Sequence, residues 1–173
     1  MSMGCPIVTL DPWEYQWACH VGIARYTANW AKQDAPWYDK SRMEDDRTAQ
    51  QAACIAEIAV AKHTNRYWSG SMWTAEAHDR EKWRADVGTN IEVKRVRTRD
   101  AAVRKHQVGK GVVLWVARPV GPEFRTVEMW GWLPVDEAWE LGDPADYDKK
   151  GLTRVIRREL LRQDLPGSSP AAA

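Results

Sequence analysis

The sequence predicts an α/β (α+β) fold in which a mixed central sheet is flanked by helices. Three observations carry this expectation: two stretches with apolar residues at helical spacing come first, short segments of β-type alternation follow from Trp83, and clusters of Gly, Asn, Asp and Pro separate them. Asp11-Pro12-Trp13-Glu14 sets a cap, a first-turn proline and an acidic third position in order. Trp13, Trp17, Val21, Ala24, Ala28 and Ala31 then recur every three or four residues, predicting a helix over 12–32 that ends at Asp34-Ala-Pro36. A loop through Asp39, Ser41 and Arg42 follows. Glu44, Asp45 and Asp46 place negative charge where a helix start favours it, and Ala52, Ile55, Ala56, Ala59 and Val60 form an apolar stripe up to about His63.

Beyond that second helix, a short strand is expected near Tyr67–Trp68. Trp83–Val87 and Ile91–Val96 are β-type segments joined by Gly88-Thr89-Asn90, which predicts a hairpin. Arg99–Gln107 reads as a short helix and Gly111–Ala117 as a buried strand. Arg125–Leu133 reads as another strand, with Val127, Met129 and Gly131 alternating against Glu128, Trp130 and Trp132. Pro134 and Asp136 open a short helix, and Gly151–Arg162 is expected to be a basic amphipathic helix. The predicted organisation is a single domain over 1–163, with a helical extension 1–43, a core 44–141, a C-terminal helix 151–162 and a flexible tail 164–173.

With 173 residues, 44% of them hydrophobic and 28% charged, the chain has material for one core and little for two. Its apolar runs fall far short of the roughly 20 residues of a membrane span, and the first residues lack a basic start followed by an apolar stretch. Three scattered cysteines form no C-x-x-C pair, so a reduced, cytoplasmic protein is expected. No zinc motif, phosphate-binding glycine loop or G-x-S-x-G setting appears, which argues against zinc, nucleotide and serine-nucleophile chemistry. Charge is nearly balanced overall, at +1, yet Lys94–Lys110 holds seven Lys and Arg against Asp100 alone. The 11 Trp against one Phe suit core burial first and base stacking second.

Chemistry concentrates around one turn. Side chains alternate along a strand, so Glu92 and Lys94 share a face while Ile91 and Val93 take the other. Asp86 lies across the Gly88 turn, where pairing brings its carboxylate towards Glu92. Two hard oxygen ligands suit Mg²⁺ or Mn²⁺, and a lysine beside them suits charge on a phosphoryl transition state. Glu57 stands alone in the apolar segment Ala52–Ala61, where a carboxylate needs a metal or a cation as partner. Arg25, among apolar residues of the first helix, either pairs with such an acid or lies at the surface.

An Asp followed by Glu-x-Lys on the next strand, with a Glu on an upstream helix, resembles the PD-(D/E)XK nuclease superfamily. Ala85-Asp86-Val-Gly, Ile91-Glu92-Val-Lys94 and Glu57 carry the resemblance, over about Glu44–Leu133. Ala85 stands where that motif often has proline. Ala53–Lys62, Tyr67-Trp68 and Asp86-Val-Gly also look like small bacteriophage proteins with such a core. The resemblance implies a restriction-endonuclease-like core with an added N-terminal helix, cleaving DNA or, as the second choice of substrate, RNA, with Mg²⁺ or Mn²⁺. It further implies Asp86 and Glu92 as metal ligands, Lys94 as catalytic lysine and Glu57 as auxiliary ligand. Arg97, Arg99, Arg104, Lys105 and Gln107 then follow the site as a nucleic-acid contact, the other reading being an ordinary solvated charged helix. In a phage-encoded protein the setting is the host cytoplasm. The competing functions are a nuclease-fold module that binds nucleic acid without cutting, and an effector of host proteins that presents exposed tryptophans.

Overall fold

The computed structural model describes residues 5–30, 45–72, 84–98 and 100–165. In chain order the elements are β1 (Ile7–Thr9), α1 (Pro12–Ala28), α2 (Asp46–Thr64), β2 (Ile91–Arg95), β3 (Ala101–Arg104), β4 (Val113–Val120), β5 (Thr126–Pro134), α3 (Val135–Leu141), β6 (Asp143–Pro144) and β7 (Thr153–Ile156). Single 3₁₀ turns cover Lys105–Gln107 and Arg158–Leu160. The class is mixed α+β, as the sequence predicts.

One sheet runs β1-β5-β4-β2, with β2 parallel to β4 at one edge and the other pairs antiparallel. A second, antiparallel sheet runs β3-β7-β6. Helix α2 packs on one face of the first sheet and α1 packs on α2. Two apolar cores result. Ile55, Ala59, Ile91, Val93, Trp115 and Met129 lie in the first, between helices and sheet. Val103, Leu114, Val116, Leu133, Val135 and Ile156 lie in the second, where β3, β7 and α3 meet the other face.

Both long helices start as their sequences dictate. The Glu14 carboxylate accepts from the Asp11 N–H at 2.7 Å, and Asp45 caps α2 by accepting from the Thr48 N–H at 2.9 Å. Lys62, near the end of α2, donates to Glu14 at 2.7 Å and to Asp11 at 3.0 Å, so the two helices run antiparallel with their ends tied. At their closest approach a Cβ on Gly22 would sit 2.5 Å from the Gln51 Cα. The small residues Ala52, Ala56 and Ala59 then let α2 bury its apolar face completely.

Several expectations are corrected. Arg99–Gln107 is not a helix: Ala101–Arg104 is a strand paired with β7, Ala101 and Val103 turn inward, Arg104 turns out, and only Lys105–Gln107 coils. Gly151–Arg162 is not a helix either, because the β-branched run Thr153, Val155, Ile156 supplies the partner strand. The two errors share one cause, since each short strand exists only through the other. The expected hairpin shrinks to a tight turn in which Val87 alone bridges Ile91 and Trp68, and the strand near Tyr67–Trp68 is that same bridge. In β5 the alternation changes phase: the register slips between Val116 and Ala117, opposite Gly131. Trp132 therefore joins the first core, and Gly131, at φ 126°, leaves room for the backbone of Arg162. The loop at Asp39, Ser41 and Arg42, together with Trp83, Arg99 and the tail beyond 165, lies outside the described residues.

Candidate active site

The site forms where the edge strand β2 meets the turn before it. Asp86 N–H and Val87 N–H both donate to the Ile91 carbonyl, at 2.9 and 3.2 Å, and Gly88, at φ 58°, allows the chain to fold back this sharply. That fold-back aims the Asp86 side chain along the strand edge. Its Oδ2 accepts from the Val93 N–H at 2.8 Å, a backbone donor on the strand's outer side, and Oδ1 remains for another ligand.

Register with β4 assigns the faces. Ile91 and Val93 pair with Val113 and Trp115 on the side covered by α2, while Glu92 and Lys94 pair with Leu114 and Val116 on the side of the second sheet. The Lys94 ammonium donates to Glu92 Oε1 at 2.5 Å, and both side chains keep some contact with water. Glu57 lies on the other side of the sheet. It is 5% exposed, and Arg25, 3% exposed, grips it in a fork: Nη1 to Oε1 at 2.7 Å and Nη2 to Oε2 at 2.9 Å. Trp68 Nε1 adds a third bond to Oε2 at 2.8 Å, and Arg25 Nε donates to the Ser71 carbonyl at 2.9 Å. The partner that Glu57 requires is therefore Arg25, on the buried stripe of Ala18, Val21 and Gly22. Glu57 has both oxygens engaged, which does not suit the auxiliary-ligand role.

Asp86 stands between these two groups. Withdrawal from water, then the neighbouring Glu57 and Glu92 carboxylates, push its carboxyl well above the usual carboxylate range, against smaller opposing effects of the Val93 N–H and Lys94. Burial likewise pushes up the Cys54 thiol, with Glu57 next in effect. Glu57, Asp86, Glu92 and Lys94 thus form one electrostatic cluster threaded past the edge of the sheet. Among the described residues no group of three or more His, Cys, Asp and Glu side chains forms a metal cage.

No protein-family model, no curated protein and no solved structure matches the chain. The site is therefore read from its own geometry.

The basic strip falls beside the cluster. Asn90 Nδ2 donates to the Gly111 carbonyl at 3.2 Å and Val113 N–H donates to the Asn90 carbonyl at 2.8 Å, which draws the 105–111 loop to the start of β2. Arg104, Lys105 and Lys110 are exposed there, and Arg97 is exposed beyond the far end of β2. Gln107 is not: it is buried, and its Oε1 accepts from the Arg104 N–H at 3.1 Å, a cap for the 3₁₀ turn rather than a surface contact. Sequence reasoning missed His106, which tested histidines only for zinc spacing. Partial burial and the nearby Lys110 and Arg104 lower its pKa, with Glu92 acting the other way, so its ring belongs to the surroundings of the site. Trp68 was missed as well; the signal available was a tryptophan just after the helix carrying the buried acid.

Proposed function

We propose that the protein is a Mg²⁺- or Mn²⁺-dependent nuclease that hydrolyses phosphodiester bonds, with DNA as the first substrate to test and RNA as the second, in nucleic-acid metabolism of the phage type. One arrangement carries the reading: the turn at Gly88 fixes the Asp86 carboxylate on the Val93 N–H at the edge of the strand that bears the Glu92–Lys94 pair, and burial with the Glu57 and Glu92 carboxylates pushes its pKa up. A fold has no need of such crowding, whereas a cation at that point relieves it. Asp86 Oδ1 and the Glu92 carboxylate are the hard oxygens that would hold a divalent ion keeping several waters. Such an ion, when bound, draws charge from a phosphate oxygen and lowers the pKa of water beside it.

The chain's own residues do the rest. Lys94, on the open edge, exchanges its bond to Glu92 for one to the attacking water or a phosphate oxygen, and its charge offsets what develops in the transition state. Arg97, Arg104, Lys105 and Lys110 hold the flanking backbone phosphates. A restriction-endonuclease-like core with an added N-terminal helix belongs to this reading. Helix α2 against the sheet and β2 parallel to β4 support it, and β3, standing where a crossover helix is expected, departs from it.

The test uses labelled single- and double-stranded DNA and RNA in Mg²⁺, Mn²⁺ or EDTA, with wild type and Lys94→Ala. Metal-dependent cleavage lost in the variant is expected; a folded wild type that cuts nothing in any metal overturns the reading. One observation favours a second reading, a binding module without cleavage: Trp13 and Trp17 stack on the exposed side of α1 with ring centroids 6.4 Å apart.

A further inference from the structure

We propose that the exposed face of α1 docks a second copy of this chain, the two α1 helices packing antiparallel about a twofold axis near His20. The proposal is independent of the nuclease reading and stands whether or not the chain cuts. The Lys, Arg, Asp and Glu side chains of α1 are Glu14 and Arg25 alone, and both are buried, the first tied to Lys62 and the second to Glu57. Its outward face carries Trp13, Gln16, Trp17, His20, Ile23 and Thr27, uncharged at neutral pH in a chain of which 28% is charged. A nucleic-acid strand needs cations beside the indoles on which its bases stack, and α1 presents none. A copy of the same face meets it without like-charge repulsion, as a twofold interface requires.

Shape selects the orientation. Trp13, Trp17, Ala24 and Ala28 fall on one stripe of the helix, large in its first half and small in its second. An antiparallel copy sets Trp13 against Ala28 and Trp17 against Ala24 at both ends of the pair, whereas a parallel copy brings indoles level with indoles and alanines level with alanines. The indoles are already fixed in place: Trp13 and Trp17 stack 6.4 Å apart, and Trp17 meets the buried Trp68 edge-on at 5.0 Å. Little freedom is therefore lost on docking. Trp13 is 61% exposed, Trp17 41% and Trp30, just past the helix end and level with Pro12 of an antiparallel copy, 59%. Large aromatics bury about 150–250 Å² each, so these three leave about 300 Å² of indole surface per copy. Two copies then enclose about 600 Å² from indoles, over half of the roughly 1,000 Å² that a specific interface needs. Ile23, Ala24 and Ala28 add to it.

Sedimentation velocity of the full chain in EDTA, over about 1 to 200 μM, the range in which a small interface dissociates, tests this. Wild type is expected to pass from monomer to dimer across that range. Trp13→Glu, at an exposed position, is expected to weaken self-association tenfold or more while the chain stays folded. Cross-linking reads the orientation. His20→Cys, beside the axis, is expected to form a disulfide with its own copy under mild oxidation. Trp13→Cys, about 20 Å from its counterpart in the antiparallel pair, is expected to cross-link no more than wild type. A wild type that is monomeric throughout, a folded Trp13→Glu that dimerises as wild type does, or a Trp13→Cys that cross-links as readily as His20→Cys each overturn the inference.

Discussion

Glu57 and Glu92 each face a cation at hydrogen-bond distance, from opposite sides of the same sheet, and the two pairs are built for different ends. The Arg25–Glu57 fork is buried and doubly bonded, with a third bond from Trp68, so both carboxylate oxygens are engaged. The Lys94 ammonium donates to Glu92 on an edge strand beside an exposed basic loop, and both side chains keep access to water. Where both partners are fully dry a charge pair acts as structure; where the edge is open it is able to exchange partners. Asp86, between them, is influenced by both.

The largest expected effect separates the pairs by stability. Arg25→Ala leaves a buried carboxylate unpaired and is expected to cost about 3–5 kcal/mol, read by denaturant unfolding. Lys94→Ala is expected to cost about 1 kcal/mol, since the pair is only partly buried and keeps contact with water. Cleavage ranks them the other way, with Lys94→Ala slowed by about 10²–10³ at unchanged folding. A Lys94→Ala variant that unfolds as readily as Arg25→Ala removes the distinction. Next comes Trp68→Phe, which deletes one bond to the buried Glu57 and is expected to cost about 1–3 kcal/mol by the same unfolding measurement. Removing charge at Arg104 and Lys105 together is expected to weaken nucleic-acid binding equally across sequences and to lower the salt-dependence slope by about 2, seen in binding isotherms at several salt concentrations.

Much of the fold is legible in the sequence where the signal is local. Asp11-Pro12 and Asp45 start helices because capping is decided within one turn; Gly111–Ala117 reads as a strand from its apolar run and Arg125–Leu133 from its alternation, and the strands form at Val113–Val120 and Thr126–Pro134. Ala101–Arg104 and Thr153–Ile156 are illegible because four residues carry too little period and each is a strand only against the other. The site shows the same division. Asp86, Glu92 and Lys94 are within nine residues of one another, so one turn and one strand juxtapose them. The Arg25–Glu57 fork joins two helices, and the apolar stripe around Arg25 points to burial without naming the partner. Gln107, read as a surface contact in a basic strip, is buried by the 3₁₀ turn it caps.

A small change in stability is also the most direct test. The Asp86 pKa is raised in the folded protein, so its protonated form contributes stability that is present at low pH and lost as pH rises through the folded-state value. Asp86→Asn keeps an oxygen for the Val93 N–H and sheds the charge. In EDTA at pH 8 it is expected to be more stable than wild type by about 1 kcal/mol, a Tm rise of about 3 °C, with the gap closing as pH falls. The decisive measurement takes Tm and Mg²⁺-dependent cleavage on the same preparations of wild type and Asp86→Asn. A more stable variant that no longer cuts is the predicted result, and a less stable variant that cuts like wild type would contradict the claim that Asp86 is held against stability for the sake of the site.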